Sequence, residues 1–92
     1  MTDLGGAELY NLDLRKLDLS KTCISNAFIE NANLSGVNFT GTDLTGTYLD
    51  SCNLTNCNLA NVTCSYTRII DCDLSGVDLS GLDLNETLFV QD

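Results

Sequence analysis

Five cysteines and thirteen carboxylates stand among these 92 residues, so thiol, metal and acid–base chemistry come first. Cys23, Cys52, Cys57, Cys64 and Cys72 are odd in number, and no two are spaced as CxxC. Neither a disulfide framework nor a zinc knuckle is indicated. The run DCDLSGVDLSGL, residues 71–82, starts like a calcium loop, with Asp71, Asp73, Ser75 and Gly76 in place. Leu82 then stands where a bidentate glutamate must close the site, and no helices flank the run. The chain has no histidine to serve as a base. No glycine-rich phosphate loop opens onto a helix. No catalytic residue, metal site or cofactor is expected, and the chain reads as a non-enzyme. Asn33, Asn38, Asn53, Asn61 and Asn85 each begin an N-x-S/T triplet. The N-terminus, MTDLGGAELYNLDL, lacks the basic-then-apolar pattern of a signal peptide, so the triplets carry no glycosylation reading.

The formal charge of −9 argues against direct binding to nucleic acid or to an anionic membrane. No segment approaches the roughly 18 apolar residues needed to span a bilayer. Unpaired cysteines without a leader read as cytoplasmic. The length allows one small domain, residues 1–92.

These side chains ride on a strict period. Stepping by five from Leu4 to Phe89 meets 18 consecutive apolar residues, among them Leu14, Leu19, Leu34, Phe39, Leu54, Leu59, Leu74 and Leu79. Self-similarity of this kind is the mark of a repeat architecture. A helix cannot use it, because five residues advance about 140° net and scatter the leucines around the cylinder. A continuous strand cannot use it either, since an odd spacing sends successive leucines to opposite faces. The chain must turn within every unit. The second residue after each central one is Gly or Asn in eleven units, and six of the seven glycines sit there. Both types tolerate the positive φ of a type II turn. The residue two before the centre (Ala27, Ala32, Val37, Cys52, Cys57, Cys72) shares its parity and points inward. The residue just before the centre points out. Of the cysteines, only Cys23 has that outward place.

The units ANLSG (32–36), TDLTG (42–46), CNLTN (52–56), CNLAN (57–61), CDLSG (72–76) and VDLSG (77–81) resemble the A(D/N)Lxx signature of pentapeptide-repeat proteins. The resemblance covers residues 2–91. It implies an all-β fold, a right-handed quadrilateral β-helix with four units per coil. That makes about four and a half coils, with no room for a capping helix. VTCSY (62–66) and TRIID (67–71) depart from the signature. Leu12, Leu17 and Leu82 are larger than the alanine it favours. Some larger members resemble B-DNA in width and charge and bind DNA gyrase in its place.

With 20 residues per coil, three outward columns interleave their charges: Asp13, Asn33, Asn53, Asp73; Asp18, Asn38, Asn58, Asp78; and Asp3, Cys23, Asp43, Thr63, Asp83. Stacked asparagines are expected to form amide ladders. The fourth column differs: Glu8, Phe28, Tyr48, Arg68, Leu88. Tyr10, Ile70 and Val90 lie beside it, with Tyr66 at the preceding corner. Tyr10, Phe28, Tyr48, Tyr66, Arg68, Ile70, Leu88 and Val90 are therefore the candidate face for a protein partner. Leu84, Leu88, Phe89 and Val90 close the last half coil and form a candidate homodimer end. Three readings of function stand open. One is a β-helical scaffold for protein–protein interaction. Another is an acidic DNA mimic that binds a protein such as gyrase. The third is a fragment of a larger protein whose function lies elsewhere.

Overall fold

In the computed structural model, which describes residues 3–91, every unit turns as its spacing demands. Fifteen residues have positive φ, and all of them occupy the second place after a centre. On three of the four sides the third residue after a centre donates its N–H back to the central carbonyl, as in Val37 to Leu34 (3.0 Å) and Thr42 to Phe39 (2.9 Å), whereas the corners after Leu9, Ile29, Leu49 and Ile69 lack this bond. This is the closing bond of a type II turn.

The turned units stack into a β-solenoid of about four turns with no helix among the described residues. Five short strands, β1 (Glu8–Tyr10), β2 (Phe28–Glu30), β3 (Tyr48–Asp50), β4 (Arg68–Ile70) and β5 (Leu88–Val90), form one parallel sheet in sequence order. Their register advances by 20 residues at each step, so Leu9, Ile29, Leu49, Ile69 and Phe89 are successive partners. Isolated bridges give the other three sides the same register, for example Asp13–Asn33–Asn53–Asp73 and Asp18–Asn38–Asn58. Each coil bonds in both directions: Asn33 N–H donates to Leu12 O at 2.9 Å, and Leu34 N–H to Asn53 O at 2.8 Å. A proline would remove one of these donors, and the sequence has none.

The interior is a ladder of central residues filled in by the residues two before them. Leu19, Leu34, Phe39, Leu54 and Leu59 are buried, while Leu14, Leu74 and Leu79, nearer the ends, are partly buried against them. Leu12 and Leu17, in the first coil, are exposed. Polar inward residues are hydrogen-bonded. Thr47 Oγ1 donates to Ile24 O at 2.7 Å, Thr67 to Leu44 O at 2.6 Å and Thr87 to Cys64 O at 2.7 Å. Cys57 Sγ takes the same place at 2.9 Å from Leu34 O. A threonine or cysteine thus enters the core without leaving a buried polar atom unpaired. All five cysteines are free thiols. Cys52, Cys57, Cys64 and Cys72 are buried and Cys23 is half-buried on the outer surface. The hydrogen bond to Cys52 and then burial push the Cys72 thiol far up, and burial raises Cys57.

The outward asparagines do not stack as amide ladders. Asn33, Asn38, Asn53 and Asn58 turn Oδ1 back to accept the backbone N–H two residues on, at 3.0–3.2 Å. Asp3, Asp13, Asp18, Asp43, Asp73, Asp78 and Asp83 do the same. An Asx side chain closing its own turn satisfies an amide that the inter-coil ladder cannot reach. The column Glu8, Phe28, Tyr48, Arg68, Leu88 lacks that side chain. There the chain runs extended for three residues, and all five strands lie on this one side.

These turns tie stability to acid. The Arg15 side chain holds the Asp13 carboxyl at about 2, below its ordinary 3.8. Hydroxyl and backbone bonds from Ser20, Ser75 and Ser80 lower Asp18, Asp73 and Asp78. Folded values below unfolded ones mean stability that is fully present above about pH 4. It is lost as pH falls through the folded values. The urea midpoint is expected to hold level from about pH 8 to 5 and to fall between about pH 4 and 2. Replacing the four aspartates by asparagine keeps the acceptor Oδ1 and should flatten that fall. An unchanged acid slope would place the effect in other carboxylates.

Candidate partner-binding face

The sheet presents two outward columns. Glu8, Phe28, Tyr48, Arg68 and Leu88 are successive partners in one, and Tyr10, Glu30, Asp50, Ile70 and Val90 in the other. Parallel pairing without offset brings side chains 20 residues apart into contact. The Phe28 and Tyr48 rings lie 5.2 Å apart, tilted by 36°. Tyr48 Oη donates to Asp50 Oδ2 at 3.4 Å. Desolvation by that packing raises the Tyr48 phenol, and the Asp50 carboxylate adds to it. Desolvation and then Glu8 and Glu30 raise Tyr10.

Phe28 is 44% exposed and Leu88 50% exposed, and Tyr10 and Val90 are exposed with them. Tyr48 and Ile70 are half-buried in the face, and Arg68 is exposed between them. Tyr66 stands at the corner leading into β4, 65% exposed, with φ 59°. All eight candidate face residues therefore fall on this side or its edge. At the C-terminal end, Leu84 is half-buried, Phe89 is 40% exposed, and Leu88 and Val90 are exposed. β5 pairs with β4 on one side, and among the described residues no strand lies on the other.

Two structural roles had gone unread. One is the turn closure by outward Asp and Asn, signalled by Ser, Thr or Gly two residues on. The other is spacing between corners. A methyl group added at Gly46 or Gly76, both of positive φ, would overlap Oδ1 of Asn26 or Asn56 one coil earlier. These glycines leave room for the carboxamide stacked against them as well as supplying the turn.

The architecture is that of a β-solenoid built from five-residue sides, a repeat protein with one flat sheet face. The family model for pentapeptide repeats (8 copies) matches residues 25–56 and 52–91, and the chain belongs to that family. Among solved structures it is similar to the pentapeptide repeat protein alr5209 from Nostoc PCC 7120. That match has 23% identity and a TM-score of 0.59, covering 95% of this chain and 79% of that one. It is also similar to full-length QnrB1, described as a plasmid-mediated fluoroquinolone resistance protein, at 14% identity and a TM-score of 0.52. That match covers 87% of this chain and 50% of QnrB1. A pentapeptide repeat protein from the Arabidopsis thaliana thylakoid lumen matches at 24% identity and a TM-score of 0.48, over 90% of this chain and 65% of that one. The chain thus spans half to two thirds of the length of two of these relatives. A comparison with curated proteins finds no match.

Proposed function

We propose that this chain is a non-enzymatic scaffold that holds a protein partner on the face of β1–β5 in a cytoplasmic setting. The observation that carries the reading is the clustering of Phe28, Tyr48, Leu88 and Val90 on one flat side of a rod whose other outward columns are polar. Rigid repeat surfaces bind without paying much ordering entropy. The concavity lined by Asp13, Arg15 and Lys16 is open to solvent and holds an exposed ion pair of 2.7 Å, which fits a surface better than a reaction site. The reading includes a homodimer through Leu84, Leu88, Phe89 and Val90, and no direct contact with nucleic acid or membrane.

A pull-down with the intact chain tests the face. Phe28→Ser with Tyr48→Ser is expected to cut recovery of a specific partner by about tenfold or more. Loss of the ring pair should cost the fold about 1 kcal/mol. Equal recovery by parent and double variant would remove the face from the reading.

A second reading is an acidic duplex mimic, favoured by the charge of −9 and by the solenoid shared with QnrB1. Residues 1–21 set Arg15, Lys16 and Lys21 against four carboxylates, whereas Arg68 is the sole cation beyond them. That unevenness makes a single rod a poor copy of duplex charge, so the scaffold reading is preferred. Inhibition of DNA gyrase supercoiling, relieved by added DNA, would reverse the preference.

A further inference from the structure

Tyr66 sits in a backbone conformation that suits it badly. Among the described residues with positive φ, six are glycine, five are asparagine, and Tyr66 is the one aromatic. Left-handed backbone is unfavourable for a bulky side chain, and asparagine tolerates it best after glycine. Burial does not repay the strain, because Tyr66 is, among the described residues, the most exposed large apolar side chain at 65%. A strained residue whose ring is not buried in the core, and whose polar contact is with Glu86 at the surface, points to a further contact outside.

The surroundings of Tyr66 define the chemistry of that contact. It borders β4 and the apolar columns of the sheet. Glu8, Glu30 and Asp50 stand among those columns, and a hydrogen bond with Glu86, followed by its charge, raises the Tyr66 phenol. Arg68 is the only cation on the sheet. The face is therefore apolar and aromatic, edged with negative charge, on a rod already at −9. Acidic partners are repelled from it. Lysine or arginine can pair with the carboxylates and lie over the Phe28, Tyr48 and Tyr66 rings.

Resting on the scaffold reading above, we infer that the β1–β5 face with the Tyr66 corner takes a protein segment that interleaves basic residues with apolar anchors. Tyr66 clamps the edge of that segment. The carboxylates select its charge, and the Phe28–Tyr48 pair and Leu88 take its apolar side chains.

The test is an amide-resolved NMR titration of the full chain with three nine-residue peptides. One alternates Lys with Phe and Val, the second has Glu in place of Lys, and the third has Ser in place of Phe and Val. The Lys/Phe/Val peptide is expected to shift the amides of Phe28, Tyr48, Tyr66 and Arg68. It should bind at least tenfold tighter than either control, and more weakly as salt rises. Tyr66→Asn should weaken it threefold or more while leaving the thermal midpoint unchanged or higher, since asparagine relieves the strain. Equal binding of the Glu peptide at the same amides would overturn the basic partner and leave the face standing. No shift on the face with any peptide, while Phe28→Ser with Tyr48→Ser still abolishes partner capture, would also overturn the inference alone. Loss of both would overturn the scaffold reading with it. A Tyr66→Asn variant that binds like the parent would overturn the role of Tyr66.

Discussion

Phe39→Ala is expected to cost about 3–5 kcal/mol, enough to leave much of the chain unfolded at body temperature. Phe39 is 1% exposed and is the largest of the fully buried side chains. It lies in one interior column between Leu19 and Leu59, one coil to either side. The usual relief for a truncated core residue is partial collapse of its surroundings. Here the backbone resists collapse, because the coils on both sides are held at fixed spacing by hydrogen bonds. Phe39 N–H donates to Asn58 O at 2.9 Å, and Leu19 N–H to Asn38 O at 3.1 Å. The cavity should persist, which places the cost toward the upper end for a phenylalanine. Leu17→Ala is the control: Leu17 is 46% exposed on the first coil and should cost less than about 1 kcal/mol. Urea unfolding followed by circular dichroism measures both. A Phe39→Ala loss near that of Leu17→Ala would mean that the coils move along the axis to fill the space.

Phe89→Asp is expected to convert the proposed homodimer to monomers, raising the dissociation constant about 100-fold or more, or about 3 kcal/mol. Phe89 is 40% exposed although its partners Leu49 and Ile69 in the same column are buried. Leu88 and Val90 flank it, and β5 has a neighbour on one side only among the described residues. In the proposed homodimer a second copy would cover the ring and pair the outer side of β5, and a two-fold arrangement would stop there. A carboxylate at the centre of that contact would be buried without a partner. Because Asp73, Asp78, Asp83 and Glu86 crowd this end, the parent dimer should tighten as salt rises. Light scattering across salt concentration separates the outcomes. A parent that is monomeric at high micromolar concentration, or a variant that remains dimeric, moves the interface elsewhere.

Much of the fold was legible in the residues because the five-residue period allows few solutions. An apolar residue at every fifth place, with Gly or Asn two beyond it, requires a turn in each unit and a stacked interior. Leu34, Phe39 and Leu54 are buried there. Grouping of Phe28, Tyr48, Arg68 and Leu88 followed from the 20-residue coil that the family resemblance supplied. What the spacing did not reveal was local competition for hydrogen bonds. Asn33 and Asn53 are near enough to stack on each other, but each finds a backbone N–H two residues away first. That contact is local in sequence and costs little chain entropy to form. All five strands lie on the one side where no coil carries the competing side chain and the corners lack the turn-closing bond. The conformation of Tyr66 was hidden for a related reason. Its place in the repeat was clear, but nothing in the residue type announces that the chain would hold tyrosine where glycine stands one coil before.

The uniform 20-residue coil also governs how this chain tolerates changes of length. Duplicating or deleting one five-residue unit between β2 and β3 would preserve the interior, since every unit offers the same inward pair. Everything downstream would rotate by a quarter turn. Tyr48, Arg68 and Leu88 would leave the side that holds Phe28, and a polar column would take their place. Gaining or losing four units together would lengthen or shorten the rod by one rung with each column still aligned. Small insertions in this chain therefore act as rotary switches on its surface, and only jumps of a full coil conserve what that surface presents.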